Sequence, residues 1–158
     1  MKKLKLYLET SVWNFIFADD AQDKKTATEL FFKEARTGKY DLFISQTVIA
    51  EINEAPGEKK ERLLNAIDEI SPVILFRTKE VNNLAEAYIE NGLLGKNHFM
   101  DVLHLSYASV NNLDILISWN MRHIVRTKTH FLVNLTNMAR NIGNLEIWTP
   151  EELMDYED

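Results

Sequence analysis

Five short apolar runs recur along this chain, and stretches of helical periodicity separate them: Leu4–Leu8, Leu42–Ser45, Val73–Phe76, Ile115–Ser118 and Leu145–Trp148. Alternation of this kind builds a parallel sheet with helices on both faces, because each crossover needs a helix to return the chain to the same edge. Such open sheets bind their ligands at the carboxyl ends of the strands. The residues that follow each run are therefore the first place to look for chemistry.

The intervening segments read as follows. Thr10 or Ser11 caps a short helix running to Ala18. A helix over Thr26–Thr37 turns Ala27, Leu30, Phe31 and Ala35 inward and is closed by Gly38. Gln46–Glu54 buries Val48, Ile49 and Ile52, and Ala55-Pro56-Gly57 breaks it. Helices then span Glu58–Ile70, Lys79–Asn91, His98–Asn111 and Thr129–Asn141. Thr149 caps a final turn with Pro150 at its first position. There is no internal repeat, linker or low-complexity segment.

A length of 158 residues predicts one domain, residues 1–158, able to bury a core without staples. The absence of cysteine excludes disulfides, thiolate metal sites and cysteine nucleophiles, and fits a reducing compartment. Lys2, Lys3 and the apolar stretch after them have the outline of a signal peptide, but Glu9 and Asn14 interrupt it. No stretch approaches the roughly 18 apolar residues of a membrane span. The expectation is a soluble cytoplasmic protein with no membrane partner. A net charge of −6 argues against a protein that coats nucleic acid. Yet no acid lies between Asp114 and Glu146, an interval holding Arg122, His123, Arg126, Lys128, His130 and Arg140. That bias fits either a phosphate-backbone contact or a solvated face.

Four residues stand where the predicted strands would gather them. Glu9 follows the first run and has hydroxyls beside it on Thr10 and Ser11. It fits a hard-cation ligand, or an acid stabilised by the start of a helix. Glu51 lies about one and a half turns into the helix after the second run; it is either a ligand or a surface acid. Asp101 opens a helix. His104, three residues on, shares its face, but the apolar neighbours make it a hydrogen-bonded core residue rather than a ligand. Asn120 follows the fourth run and can offer its carbonyl to a cation or cap the next segment. Arg122 and His123 are phosphate contacts by position, and Asp114, before its strand, belongs at the opposite edge with a structural role. No glycine-rich phosphate loop, nucleophile elbow or His-Glu-x-x-His motif occurs.

Four segments, Leu-Tyr-Leu-Glu-Thr-Ser-Val-Trp, Ser-Gln-Thr-Val-Ile-Ala-Glu-Ile, Asp-Val-Leu-His-Leu-Ser-Tyr-Ala and Asp-Ile-Leu-Ile-Ser-Trp-Asn-Met-Arg-His-Ile, resemble in order the successive motifs of PIN-domain proteins. The closing Ile-Trp-Thr-Pro-Glu-Glu-Leu is similar to their ending. The resemblance spans nearly the whole chain. It implies a three-layer α/β/α sandwich around a central, mostly parallel five-stranded sheet. It also implies a Mg²⁺ or Mn²⁺ site on Glu9, Glu51 and Asp101, with Asn120 assisting. The implied activity is endoribonucleolytic hydrolysis of RNA, with Ser11, Arg122 and His123 at substrate phosphates. Many small members are toxins paired with an antitoxin protein, and many are homodimers. Two positions depart from the pattern: Glu9 and Asn120 stand where aspartate and an acid are usual. The longer side chain moves one carboxylate outward, and the amide removes a charge. The other reading is a catalytically weak or inactive PIN-like module that binds RNA or protein. A receiver-type phosphoacceptor needs a strand-end aspartate that Glu9 cannot supply.

Overall fold

Strands β1 (Lys5–Leu8), β2 (Asp41–Ser45), β3 (Val73–Leu75), β4 (Ile115–Ile117) and β5 (Glu146–Trp148) pair in the order β3-β2-β1-β4-β5. Every pairing is parallel in this computed structural model, which describes residues 2–157. Leu6, Tyr7 and Leu8 of β1 and Leu116 and Ile117 of β4 are fully buried. That is why these strands read as unbroken apolar runs: helices cover both faces of the sheet and leave no face to alternate toward water.

The helices are α1 (Thr10–Asn14), α2 (Gln22–Ala35), α3 (Gln46–Asn53), α4 (Gly57–Ile70), α5 (Lys79–Glu90), α6 (Phe99–Val110), α7 (Thr127–Ala139) and α8 (Pro150–Glu157). Short 3₁₀ turns at Phe15–Phe17 and Lys96–His98 follow α1 and precede α6. The fold is thus the predicted α/β sandwich, with a wholly parallel sheet. Helix α2 packs on α8, and α5 packs on α6 and α7. Lys39 adds an ion pair with Glu157 of α8.

Several local expectations need correction. Helix α2 starts at Gln22 rather than Thr26, so the polar loop is shorter than its composition implies. Its buried face is Thr28, Phe31, Phe32 and Ala35, a clean i, i+3, i+4, i+7 set, and Leu30 faces outward at 52% exposure. The helix predicted to run on to Ala18 gives way to the 3₁₀ turn after Asn14. The closing turn continues as the eight-residue α8, begun by a reciprocal cap between Thr149 and Glu152. Asp114 behaves as expected: its carboxylate accepts from the Lys5 backbone N–H at 2.8 Å and pins the start of β4 to the start of β1.

From β1 the chain lays β2 and β3 to one side, then returns past β1 to lay β4 and β5 on the other. The topological switch falls between β1 and β4, and sheets of this kind gather ligand sites at the carboxyl ends of the strands there. Glu9 and Asn120 emerge there.

Candidate metal centre

Glu9 is the residue before α1 and is 5% exposed. A carboxylate that buried requires hydrogen-bond donors. Ser11 and Ser118 supply them, their hydroxyls donating to Oε1 at 2.5 and 2.6 Å. Glu51, on α3, accepts from Thr10 Oγ1 at 2.7 Å and His104 Nε2 at 2.6 Å, again both on Oε1. The opposite oxygens of the two carboxylates lie outside these bonds, and Glu9 Oε2 is 4.0 Å from His104 Nε2.

His104 projects from α6 and is fully buried. Its Nδ1 meets the Tyr7 hydroxyl at 2.6 Å, and that hydroxyl meets Ser45 Oγ at 2.7 Å. Burial opposes charge on the imidazole, but the Glu51 hydrogen bond and the charges of Glu9, Glu51 and Asp101 outweigh it and raise its pKa. Burial likewise pushes the Glu51 carboxyl up, and His104 with Thr10 more than offsets this, leaving it below the usual range. Both directions favour the imidazolium–carboxylate form of this pair. Burial also holds Tyr7 well above the ordinary phenol range, so it remains a protonated donor and acceptor in the chain His104–Tyr7–Ser45.

Asp101, in the first turn of α6, belongs to a neighbouring group. Its Oδ1 accepts from Asn120 Nδ2 at 3.3 Å, and its Oδ2 lies 3.2 Å from His123 Nδ1 and 3.9 Å from His98 Nδ1. Ligand atoms of Glu9, Glu51 and His104 lie within 4.8 Å of one another, as do those of His98, Asp101 and His123. The two groups are joined through β4's exit: the Asn120 backbone N–H donates to Ser118 Oγ at 2.9 Å, and Ser118 donates to Glu9. The four predicted residues therefore share one network, with Glu9 and Glu51 in one half and Asp101 and Asn120 in the other.

Ser11 both donates to Glu9 and accepts from the Trp119 N–H at 2.8 Å, so its hydroxyl is committed to holding the site together. Arg122 is exposed, and among the described residues it has no hydrogen-bonded or ionic partner. His123 turns its ring to Asp101, while its backbone N–H donates to Asn120 Oδ1 at 3.0 Å. A shallow cleft beside Glu51 is lined by Ala50, Glu54 and Met100.

His104 is the residue that the sequence reading placed correctly in the core but left out of the site. It is both, since the core ends where the carboxylates begin. His98 and Ser118 were also missed, whereas the Thr10 hydroxyl expected beside Glu9 donates to Glu51. The Asp101-x-x-His104 spacing was the available signal for His104, and nothing local marks the other two.

Comparison with known proteins adds to this geometry. No family model matches the sequence, and no curated protein matches it. Among solved structures, the chain is similar to a chain of VapBC2 from Rickettsia felis, crystallised bound to a DNA fragment from their promoter. The TM-score is 0.56 at 18% identity, over 92% of this chain and 98% of that one. The fold is PIN-like. The likeness is one of architecture, and in this PIN-like frame the acidic crevice occupies the switch point between β1 and β4.

Proposed function

We propose that this chain is a metal-dependent endoribonuclease, formed by one domain, that hydrolyses RNA phosphodiester bonds with Mg²⁺ or Mn²⁺. The observation that carries the reading is the pair of carboxylates Glu9 and Glu51. Each has one oxygen fixed by hydroxyl or imidazole donors and a second outside those bonds, at the switch point of a PIN-like sheet. Oxygen donors of this kind suit a hard cation that retains several waters. Glu9 and Glu51 would hold the ion, with Asp101 as third carboxylate and Asn120 assisting. A divalent ion so held supplies Lewis acidity toward a phosphodiester and lowers the pKa of water near it.

The chain's own residues perform the rest. Ser11 and Ser118 aim the Glu9 carboxylate, and Thr10 aims Glu51. His104 supplies positive charge beneath the carboxylates, limiting their mutual repulsion. Arg122, with Arg126 and Lys128 beyond it, meets the backbone of the substrate in the acid-free interval.

We further propose a toxin role, in which a protein antitoxin covers the crevice; the VapBC2 likeness supports such pairing. A homodimer and a cytoplasmic location belong to the same reading. The surface of α7 supports self-association: Phe131, Leu135 and Met138 are 61%, 46% and 73% exposed and lie on one stripe.

The deciding experiment is cleavage of mixed RNA substrates with Mn²⁺, Mg²⁺ or EDTA, comparing wild type with Asp101→Asn and Glu51→Gln. Metal-dependent cleavage lost in both variants is expected. Cleavage retained by both would remove the assignment. The internally neutralised Glu51–His104 pair favours one alternative, a binding module without turnover. It predicts RNA or protein binding that Asp101→Asn leaves nearly unchanged.

A further inference from the structure

We propose that His98, Asp101 and His123 form a second cation site, selective for a borderline transition ion such as Zn²⁺ or Co²⁺ over Mg²⁺. The proposal shares Asp101 and Asn120 with the nuclease reading above and is otherwise independent of it.

The ligands come from separate segments: His98 from the 3₁₀ turn before α6, Asp101 from the first turn of α6, and His123 from the loop after β4. Two imidazoles and one carboxylate are the donor types that zinc and its neighbours take, and imidazole nitrogen is not what Mg²⁺ selects. Tetrahedral bonds of about 2.0–2.1 Å require adjacent donor atoms roughly 3.3 Å apart. The Asp101–His123 edge is 3.2 Å and the Asp101–His98 edge 3.9 Å. All three donors fall within 4.8 Å of one another, so side-chain rotation of His98, 38% exposed, closes the set. The two imidazole rings stand 4.1 Å apart at centroid, inclined at 43° rather than lying flat on one another.

Asn120 holds this arrangement from behind. Its Nδ2 donates to Asp101 Oδ1 at 3.3 Å, leaving Oδ2 toward the histidines. Its Oδ1 accepts the His123 backbone N–H at 3.0 Å and so fixes the loop that carries the second imidazole. Only an amide can do both. A carboxylate at position 120 could accept from His123 but would repel Asp101 instead of donating to it. This is the outer shell that orients metal ligands. It gives the amide at this position a role of its own, beyond being an acid with its charge removed.

The test is a titration of EDTA-stripped, desalted full-length protein with Co²⁺ followed by visible d–d absorption, with Zn²⁺ and excess Mg²⁺ as competitors. The expected result is one equivalent of Co²⁺ with ligand-field bands, displaced by Zn²⁺ and not by Mg²⁺. His98→Gln and His123→Gln, both at accessible positions, lose the bands while keeping the wild-type far-ultraviolet circular dichroism. Asn120→Asp weakens binding by about 10- to 100-fold. Glu9→Gln and Glu51→Gln retain the bands. Absence of bands in wild type, or bands that survive both histidine substitutions, overturns the site. Bands lost only in Glu9→Gln or Glu51→Gln would also overturn it and assign the ion to the carboxylate pair. Failure of RNA cleavage leaves this spectroscopic result untouched, so the two readings fail separately.

Discussion

Buried charge at single residues sets the most specific expectations. His104 has no exposed surface and faces Glu51 at 2.6 Å. Removing one partner of such a pair leaves the other uncompensated. His104→Ala should therefore cost roughly 3 kcal/mol of stability, measured by urea unfolding in EDTA. The same pair fixes a pH window. The raised pKa of His104 means that its contribution is complete below the ordinary histidine value of 6.5 and is lost as pH climbs through the raised value. The lowered pKa of Glu51 means that its contribution is complete above the ordinary 4.5 and is lost as pH falls through the depressed value. Thermal melting of the metal-free protein should peak between those ordinary values and decline on both sides. Tyr40 gives the opposite kind of test. Its buried hydroxyl has no hydrogen-bond partner among the described residues. Tyr40→Phe should leave the melting temperature unchanged or raise it, by up to about 1 kcal/mol in stability. A clear loss would mean that the hydroxyl is satisfied.

Elements were legible where one physical signal dominated. β1 and β4 announced themselves because burial on both faces removes alternation. The break at Pro56-Gly57 did so because proline and glycine act on the backbone directly. The start of α2 was not legible. Asp23, Lys24 and Lys25 are polar enough for a loop, and only packing of Thr28 and Phe31 on the core draws the preceding turn into the helix. Leu30 misled for a related reason: an apolar residue one position off the stripe was counted as inward. Helix ends carry a further prediction. α4 closes at Ser71 in the left-handed region, φ 56°, where a side chain is strained. Ser71→Gly should raise stability by about 0.5–1 kcal/mol by relieving that strain, read as a higher urea midpoint at unchanged slope.

At the scale of the whole molecule, strand order converts distant sequence positions into one crevice. Residues 9 and 120 were singled out because each follows a strand, 101 because it opens a helix and 51 because it lies in the helix after a strand, and topology gathers strand ends. What the sequence did not disclose is the partition into two halves, one around His104 and one around His98 and His123. That division depends on side-chain direction, which periodicity does not encode. Two surface predictions belong to the proposed nuclease and its proposed self-association. Arg122→Ala combined with Lys128→Ala should weaken RNA binding across sequences and flatten its dependence on salt by roughly two lost phosphate contacts. Filter binding at several ionic strengths checks this. Helix α7 buries Thr129, Thr136 and Asn137 and exposes Phe131, Leu135 and Met138. Leu135→Lys with Met138→Glu should shift the sedimentation mass toward one copy, and an unchanged mass would dissociate this stripe from self-association.

The imidazolium of His104 has a consequence for the order of events in the life of the protein. With Glu51 already paired to His104 at 2.6 Å, folding of the chain should not require an ion. For the metal-dependent nuclease proposed above, maturation and ion loading would then be separate steps. A cell could accumulate the folded chain in an idle form, and arrival of the ion, rather than synthesis of the protein, would decide when it begins to act.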